Sequence, residues 1–352
     1  MPRRCLPAPA MALAVALVLG TAACDRGTEG RAEGSVSGQG ARERGTPHAG
    51  GRPQARGAVT VARAERLLDR YERLVNKANK ARNIALLAQA EAGNALERSR
   101  AGYEQYQALS RRERAAATRP FSYRNRIFHI PAGADWFLVT ATRTPREPPG
   151  APEASTASRR PAGVLLFANR NGHWRLRAAL ELQAGRLPRL AEDAEGLART
   201  VSTAATSGEL SAEDIPAAYE DLWQTGGKDE AATLAPNPVT REARSTYRDR
   251  DDALGAQGAH KRFIPRAPRY GDSYALRTAD GGVLALVPLA HEQRLRVTRP
   301  GLQLTPSAEE AVYDAAPRTV IVTTFHGQAL VRLPPRGAPV MLAAKYALVG
   351  SR

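Results

Sequence analysis

The chain has 352 residues, of which 43% are hydrophobic and 5% aromatic, and carries a formal charge of +16. That apolar content fits a globular protein whose core relies on Leu, Val and Ala, and it excludes a chain disordered throughout. The cysteine count is two, Cys5 and Cys24, too few for a disulfide framework or a thiolate metal site.

Residues 1–23 read as a lipoprotein signal peptide. Arg3 and Arg4 give a positive start, Ala10 to Gly20 an apolar core, and the small residues Ala22 and Ala23 precede Cys24. Cleavage between Ala23 and Cys24 leaves the cysteine as the first mature residue, and its thiol is the nucleophile that accepts a diacylglycerol thioether. The apolar run of 11 residues spans about 16 Å as a helix, short of the roughly 30 Å hydrocarbon core, so it is not a membrane span. The expected location is the extracytoplasmic face of the cell membrane, with membrane lipid as partner through acylated Cys24. General secretion and twin-arginine export both suit the Arg3-Arg4 start.

Residues 24–58 are rich in Gly, Arg, Ser, Glu and Gln, with Val36 as the one large aliphatic before Val59. Such a stretch buries too little apolar surface to offset the entropy of ordering and reads as a flexible tether of roughly 30 Å root-mean-square span.

Folded structure is expected from Thr60, placed as an N-cap. Val61, Ala64, Leu68, Tyr71, Val75 and Ala78 recur at helical spacing after it. A second helical segment starts at Ile84, breaks near Gly93 and runs on through Tyr103 and Leu109. Strands follow at Phe121–Ile130 and Trp136–Thr142, then a Pro-rich loop over 145–162. Gly163–Leu182 reads as a hairpin turned by Asn171-Gly172, the dipeptide suited to a type I′ turn. The second half repeats helices before strands. Ser211 with Asp214 resembles a capping box, and Asn237-Pro238 opens another helix. Strands are expected at Tyr274–Thr278, Val283–Pro288, Gln293–Thr298, Thr319–Thr324, Gln328–Leu333 and Met341–Val349, with turns at Asp280-Gly281 and His326-Gly327. The expected fold class is α+β: an N-terminal module over 59–205 and a C-terminal module over 206–352, each a set of helices followed by a curved antiparallel sheet.

The lipobox, the opening VTVARAERLLDRYERLVNKANKARN, YEDLWQTGG at Tyr219–Gly227 and YALRTADGG at Tyr274–Gly282 together resemble actinobacterial lipoproteins of unknown function. Each half is similar, in element order, to the nuclear transport factor 2-like (cystatin-like) α+β module. Isomerase-type members of that superfamily imply a pocket with a proton-abstracting carboxylate and an oxyanion donor pair. Element order alone does not assign function.

Sequence motifs for chemistry are sparse. Asp135 beside Trp136 is the one carboxylate considered as a buried acid; the competing reading is a strand entrance facing water. None of His48, His129, His173, His260, His291 and His326 has a second histidine at metal-binding spacing, and Asp249-Arg250-Asp251-Asp252 lacks the Gly and distal Glu of a calcium loop, reading instead as a solvated helix face. No glycine pattern cradles a dinucleotide or phosphate, and no G-x-S-x-G elbow occurs. No catalytic residue, metal or cofactor is expected. Tyr71, Trp136, Phe167 and Trp174 are expected to line the interior of the first module, chiefly as core.

All but five of the 51 basic residues are arginine. GC-rich codons produce that skew without selection, and attraction to anionic lipid, wall polymers or acidic partners is the functional alternative. Nucleic acid is not an expected partner, because the chain carries an export signal and its paired arginines lack interleaved aromatics. The expected function is therefore a membrane-anchored extracytoplasmic lipoprotein that binds a ligand or envelope partner or acts as an envelope scaffold. The alternative is a hydrolase or isomerase using a pocket in one module.

Overall fold

A computed structural model describes residues 5–7, 57–146, 162–229, 233–252 and 254–352. The signal cleavage site, Cys24, His48 and most of the tether and of the Pro-rich loop lie outside the described residues.

Helix α1 spans Val61–Ala81, with the Thr60 hydroxyl accepting the backbone N–H of Arg63 at 3.3 Å. Its buried stripe includes Ala64, Leu68, Tyr71, Val75 and Ala78, as the spacing requires, but Val61 is 52% exposed. Asn83 caps α2 (Ile84–Ala90), and α3 (Gly93–Glu104) follows, ending in a 3-10 turn over Gln105–Ala108. A further helix, α4 (Arg111–Thr118), starts from a reciprocal Ser110–Glu113 capping box that the sequence reading passed over.

A short strand β1 (Cys5–Pro7) lies parallel to β9 (Gln303–Thr305). The first sheet is an antiparallel meander of β2 (Phe121–His129), β3 (Trp136–Pro145), β4 (Gly163–Arg170) and β5 (His173–Glu181) in that order. Asn171 and Gly172 between the last two have φ of 55° and 80°, the left-handed pair that the hairpin turn needs.

The second half opens with α5 (Ile215–Gln224) and α6 (Pro238–Arg248). Ser211 does not cap α5. Both its backbone N–H and its hydroxyl donate to Asp214, which holds a turn ahead of the helix. Asn237 does cap α6, in a reciprocal box with Thr240. Asp249 to Asp252 follow the end of α6, so this acidic group is not on a helix face as expected. Asp251 Oδ1 instead accepts the backbone N–H of Lys261.

The second sheet runs β11 (Val340–Ser351), β10 (Val320–Leu333), β8 (Val283–Val297), β6 (Ala259–Pro265), with β7 (Tyr274–Arg277) paired to the far end of β8. Two expected strand breaks are absent. His291 and Glu292 interrupt the apolar pattern of β8 but are buried with partners, so the strand continues through them. His326-Gly327 is not a turn; it lies in mid-strand, paired with Ala290 and Leu289 on one side and with Ala347 and Tyr346 on the other. Strand β6 had no counterpart in the sequence reading.

Alternation along the strands sorts the layers. Phe137, Val139, Leu165 and Phe167 face α1 and α2, whereas Trp136, Leu138, Leu166 and Leu180 face the second sheet. There they meet Leu276, Leu284, Leu286, Leu330 and Leu342, while Ala285, Val287, Ala329 and Val331 turn to α5 and α6. The result is helices, sheet, sheet, helices. Because both faces of each sheet are covered, β3 and β4 read as nearly unbroken apolar runs.

Candidate functional site

A cavity of about 290 Å³ opens where α3 closes over the edge strands β5 and β11. From α1 come Tyr71, Val75 and Asn79, from the end of α2 Glu91, and from α3 Arg98 and Ser99. The sheets add Arg143, Glu181 and Lys345, and Val75, Leu165, Leu176 and Leu180 supply apolar wall. Three cations thus converge with two carboxylates.

Glu91 is 3% exposed and sits at the C-cap of α2, where its backbone N–H bonds Leu87. The Tyr71 hydroxyl donates to its Oε1 at 3.1 Å, while Oε2 has no partner. Burial pushes this carboxyl up to about 7, against the pull of the Ser99 and Tyr71 hydroxyls and the Arg98 charge. Burial also pushes the Tyr71 phenol well above its usual range, with Glu91 adding to the shift. Arg98 is brought down to about 10 by burial, and its Nη1 reaches Gln328 Oε1 at 3.5 Å. The Lys345 ammonium falls to about 8, chiefly from the charge of Arg98 and next from loss of solvent. Lys345 lines the cavity and is exposed along the strand, so the charge of Arg98 is the leading cause of its shift. Glu91 and Glu181 offset part of this charge, acting on Arg98 and Lys345 respectively, but with Arg143 the cations outnumber the carboxylates. An anion between Arg98 and Lys345 relieves both.

Next to this cavity, Tyr346 extends its hydroxyl to Glu220 Oε1 at 2.5 Å, and Glu220 Oε2 meets His291 Nδ1 at 2.9 Å. Trp223, Phe263, Phe325 and Tyr346 ring the imidazole, and neither His291 Nε2 nor Trp223 Nε1 has a hydrogen-bond partner.

The residues singled out from sequence lie elsewhere, with one exception. Asp135 stands at the strand entrance facing water, paired with Arg170. Phe167 and Trp174 join the helix-facing core. Trp136 belongs instead to the core between the sheets, edge-on to Tyr274 at 5.2 Å. Tyr71 both packs in the core and lines the cavity. Among the described residues no group of three or more His, Cys, Asp and Glu is placed to hold a metal. Sequence reasoning missed Glu91, Arg98 and Lys345. Lys345 left one signal, being one of only five lysines in an arginine-rich chain and lying inside the apolar run MLAAKYALVG.

Helices packed on the outer faces of two stacked antiparallel sheets define a mixed α+β protein. The chain belongs to the family described as "Domain of unknown function (DUF8094)", whose profile matches residues 55–351. It is also similar to an uncharacterized lipoprotein of Streptomyces coelicolor, 28% identical over 313 residues that cover 86% of this chain and 84% of the relative. No solved structure matches the chain. Among the described residues no helix is long and apolar enough to cross a membrane.

Proposed function

We propose that this protein is a lipoprotein anchored by acylated Cys24 at the extracytoplasmic face of the membrane, and that it binds a small anionic ligand in the cavity under α3. The observation that carries the binding reading is the convergence of Arg98, Arg143 and Lys345 on one cavity, with the charge of Arg98 depressing Lys345. At about 290 Å³ the space suits a compact metabolite, at the lower end of the usual range of small-molecule sites. The anchor is supported by the residue order around Cys24 and by the relative's description as a lipoprotein. The helices-then-sheet order of each half likewise supports kinship with nuclear transport factor 2-like modules.

Calorimetric titration with a panel of small carboxylates and phosphates tests the binding. At least one anion binds the native protein and loses most of its affinity in Lys345→Met; a panel without any binder, or with binding unchanged in that variant, removes the reading. Intact mass of the native product tests the anchor separately, through a diacylglyceryl group on Cys24.

A second reading, an isomerase or hydrolase, has its own observation: a carboxyl buried against Tyr71 and held at about 7 is poised for proton transfer near neutral pH. It predicts that Glu91→Gln keeps anion binding while abolishing turnover of the bound compound.

A further inference from the structure

The outer end of the second sheet carries charge in an arrangement that folding disfavours. Along β8, Leu284 and Leu286 face the first sheet, and the same side of the strand continues, two residues at a time, through Glu292, Arg294 and Arg296. The register places Arg262 of β6 directly opposite Arg294, and His260 opposite Arg296, with all four exposed. Like charges directly opposed across a ladder destabilise it. Among the described residues no ion pair involves Arg262, Arg294 or Arg296. Glu292, a carboxylate on that side, already engages Arg266 at 2.7 Å and Arg352 at 2.8 Å, and Asp251 Oδ1 lies 3.3 Å from His260 Nδ1, which leaves the three arginines without a carboxylate partner among the described residues. Arg294 and Arg296 themselves line an open groove of about 380 Å³, together with Val297, Thr319, Val320 and Val322. A charged residue on an edge strand such as β6 guards against sheet-to-sheet pairing, but β8 is a central strand with neighbours on both sides, so edge protection does not account for Arg294 and Arg296.

We propose that this overhanging arginine face lies against the anionic phospholipid headgroups of the membrane. The inference rests on the anchored-lipoprotein reading, because a tether that holds the domain near a bilayer makes a multivalent, low-affinity contact effective. Headgroup phosphates supply the counter-charge that the three arginines lack, and the groove lined by Arg294, Arg296, Val320 and Val322 takes the glycerol region beside them. Each arginine at such a surface contributes about a factor of five to binding, and salt weakens the contact over roughly 8 Å of screening length.

The test uses the mature chain, residues 24–352, with Cys24→Ser so that no lipid is attached, mixed with vesicles of phosphatidylcholine alone or with added phosphatidylglycerol. Co-sedimentation is expected only with the anionic vesicles, falling with salt and dropping about a hundredfold in the triple variant Arg262→Gln, Arg294→Gln, Arg296→Gln. The control is Arg63→Gln, Arg66→Gln, Arg70→Gln, the same charge change on exposed positions of α1, which keeps its binding. Equal loss in both triples reduces the effect to net charge and overturns the proposal; so does binding indifferent to phosphatidylglycerol. Melting of the ladder triple is expected at or above that of the parent, since the opposed pair is removed. Should the triple fail to fold, Arg294→Gln alone is read against Arg66→Gln. An unacylated native Cys24 would defeat the anchor while leaving the vesicle result standing.

Discussion

His291 and Glu220 meet Nδ1 to Oε2 at 2.9 Å in the second helix–sheet interface, with 1% and 5% of their side chains exposed. Glu220 comes from α5 and His291 from the middle of β8, so the pair pins the helical layer to the sheet. Removing one partner leaves the other buried without it. Glu220→Ala or His291→Ala is expected to destabilise the fold by about 3 kcal/mol, read as a lowered urea midpoint. Stability within a few tenths of the parent would mean that water replaces the lost partner.

Glu91 imposes a pH dependence of known sign. Its carboxyl titrates near 7 in the folded protein against an ordinary 4.5, so between those values the native state holds a proton that the unfolded chain has released. Stability therefore falls as pH rises through that window, by about 3 kcal/mol in all. Glu91→Gln, which still accepts from Tyr71, should flatten the dependence and exceed the parent in stability above pH 7. Parallel stability profiles for the two proteins between pH 4 and 8 would remove the buried-carboxyl account.

Anion binding should fade as Lys345 loses its proton. Since the charge of Arg98 holds that ammonium at about 8, affinity for a bound anion declines above that pH. Arg98→Met weakens binding by about tenfold and returns the lysine toward its ordinary value, so the remaining binding persists to higher pH. Calorimetry across the alkaline range reads both effects, and an unmoved pH limb in Arg98→Met would contradict the coupling.

Gly327 is a glycine because of what covers it. A Cβ there would stand 2.6 Å from Tyr346 Cδ1 and 2.8 Å from the Lys345 carbonyl oxygen. Gly327→Ala should cost about 1–3 kcal/mol. It should also displace Tyr346, whose hydroxyl ties Glu220 and whose ring packs on His291, so the Glu220–His291 contact loosens as the melting temperature falls.

The same glycine shows why turn chemistry misreads β10. A His-Gly pair between two apolar runs has the composition of a hairpin turn, and only the ring of Tyr346, brought from a neighbouring strand, reveals that the small side chain serves close approach. His291-Glu292 misleads in the same way: polar residues look like a break until Glu220, Arg266 and Arg352 supply their partners from distant segments.

What the sequence determined by itself is local. The Thr60 and Asn237 caps, the buried stripe of α1 from Ala64 to Ala78, the Asn171-Gly172 hairpin and the alternation of helices and strands all depend on neighbours within a few residues. The stacking of two sheets through Trp136, Leu284 and Leu342, and the gathering of Glu91, Arg98 and Lys345 around one cavity, were decided only by tertiary structure. Glu91 and Lys345 are separated by more than two-thirds of the chain, and a burial-shifted carboxyl or a charge-depressed lysine has no local signature, because desolvation and Coulomb repulsion act through space rather than along the backbone.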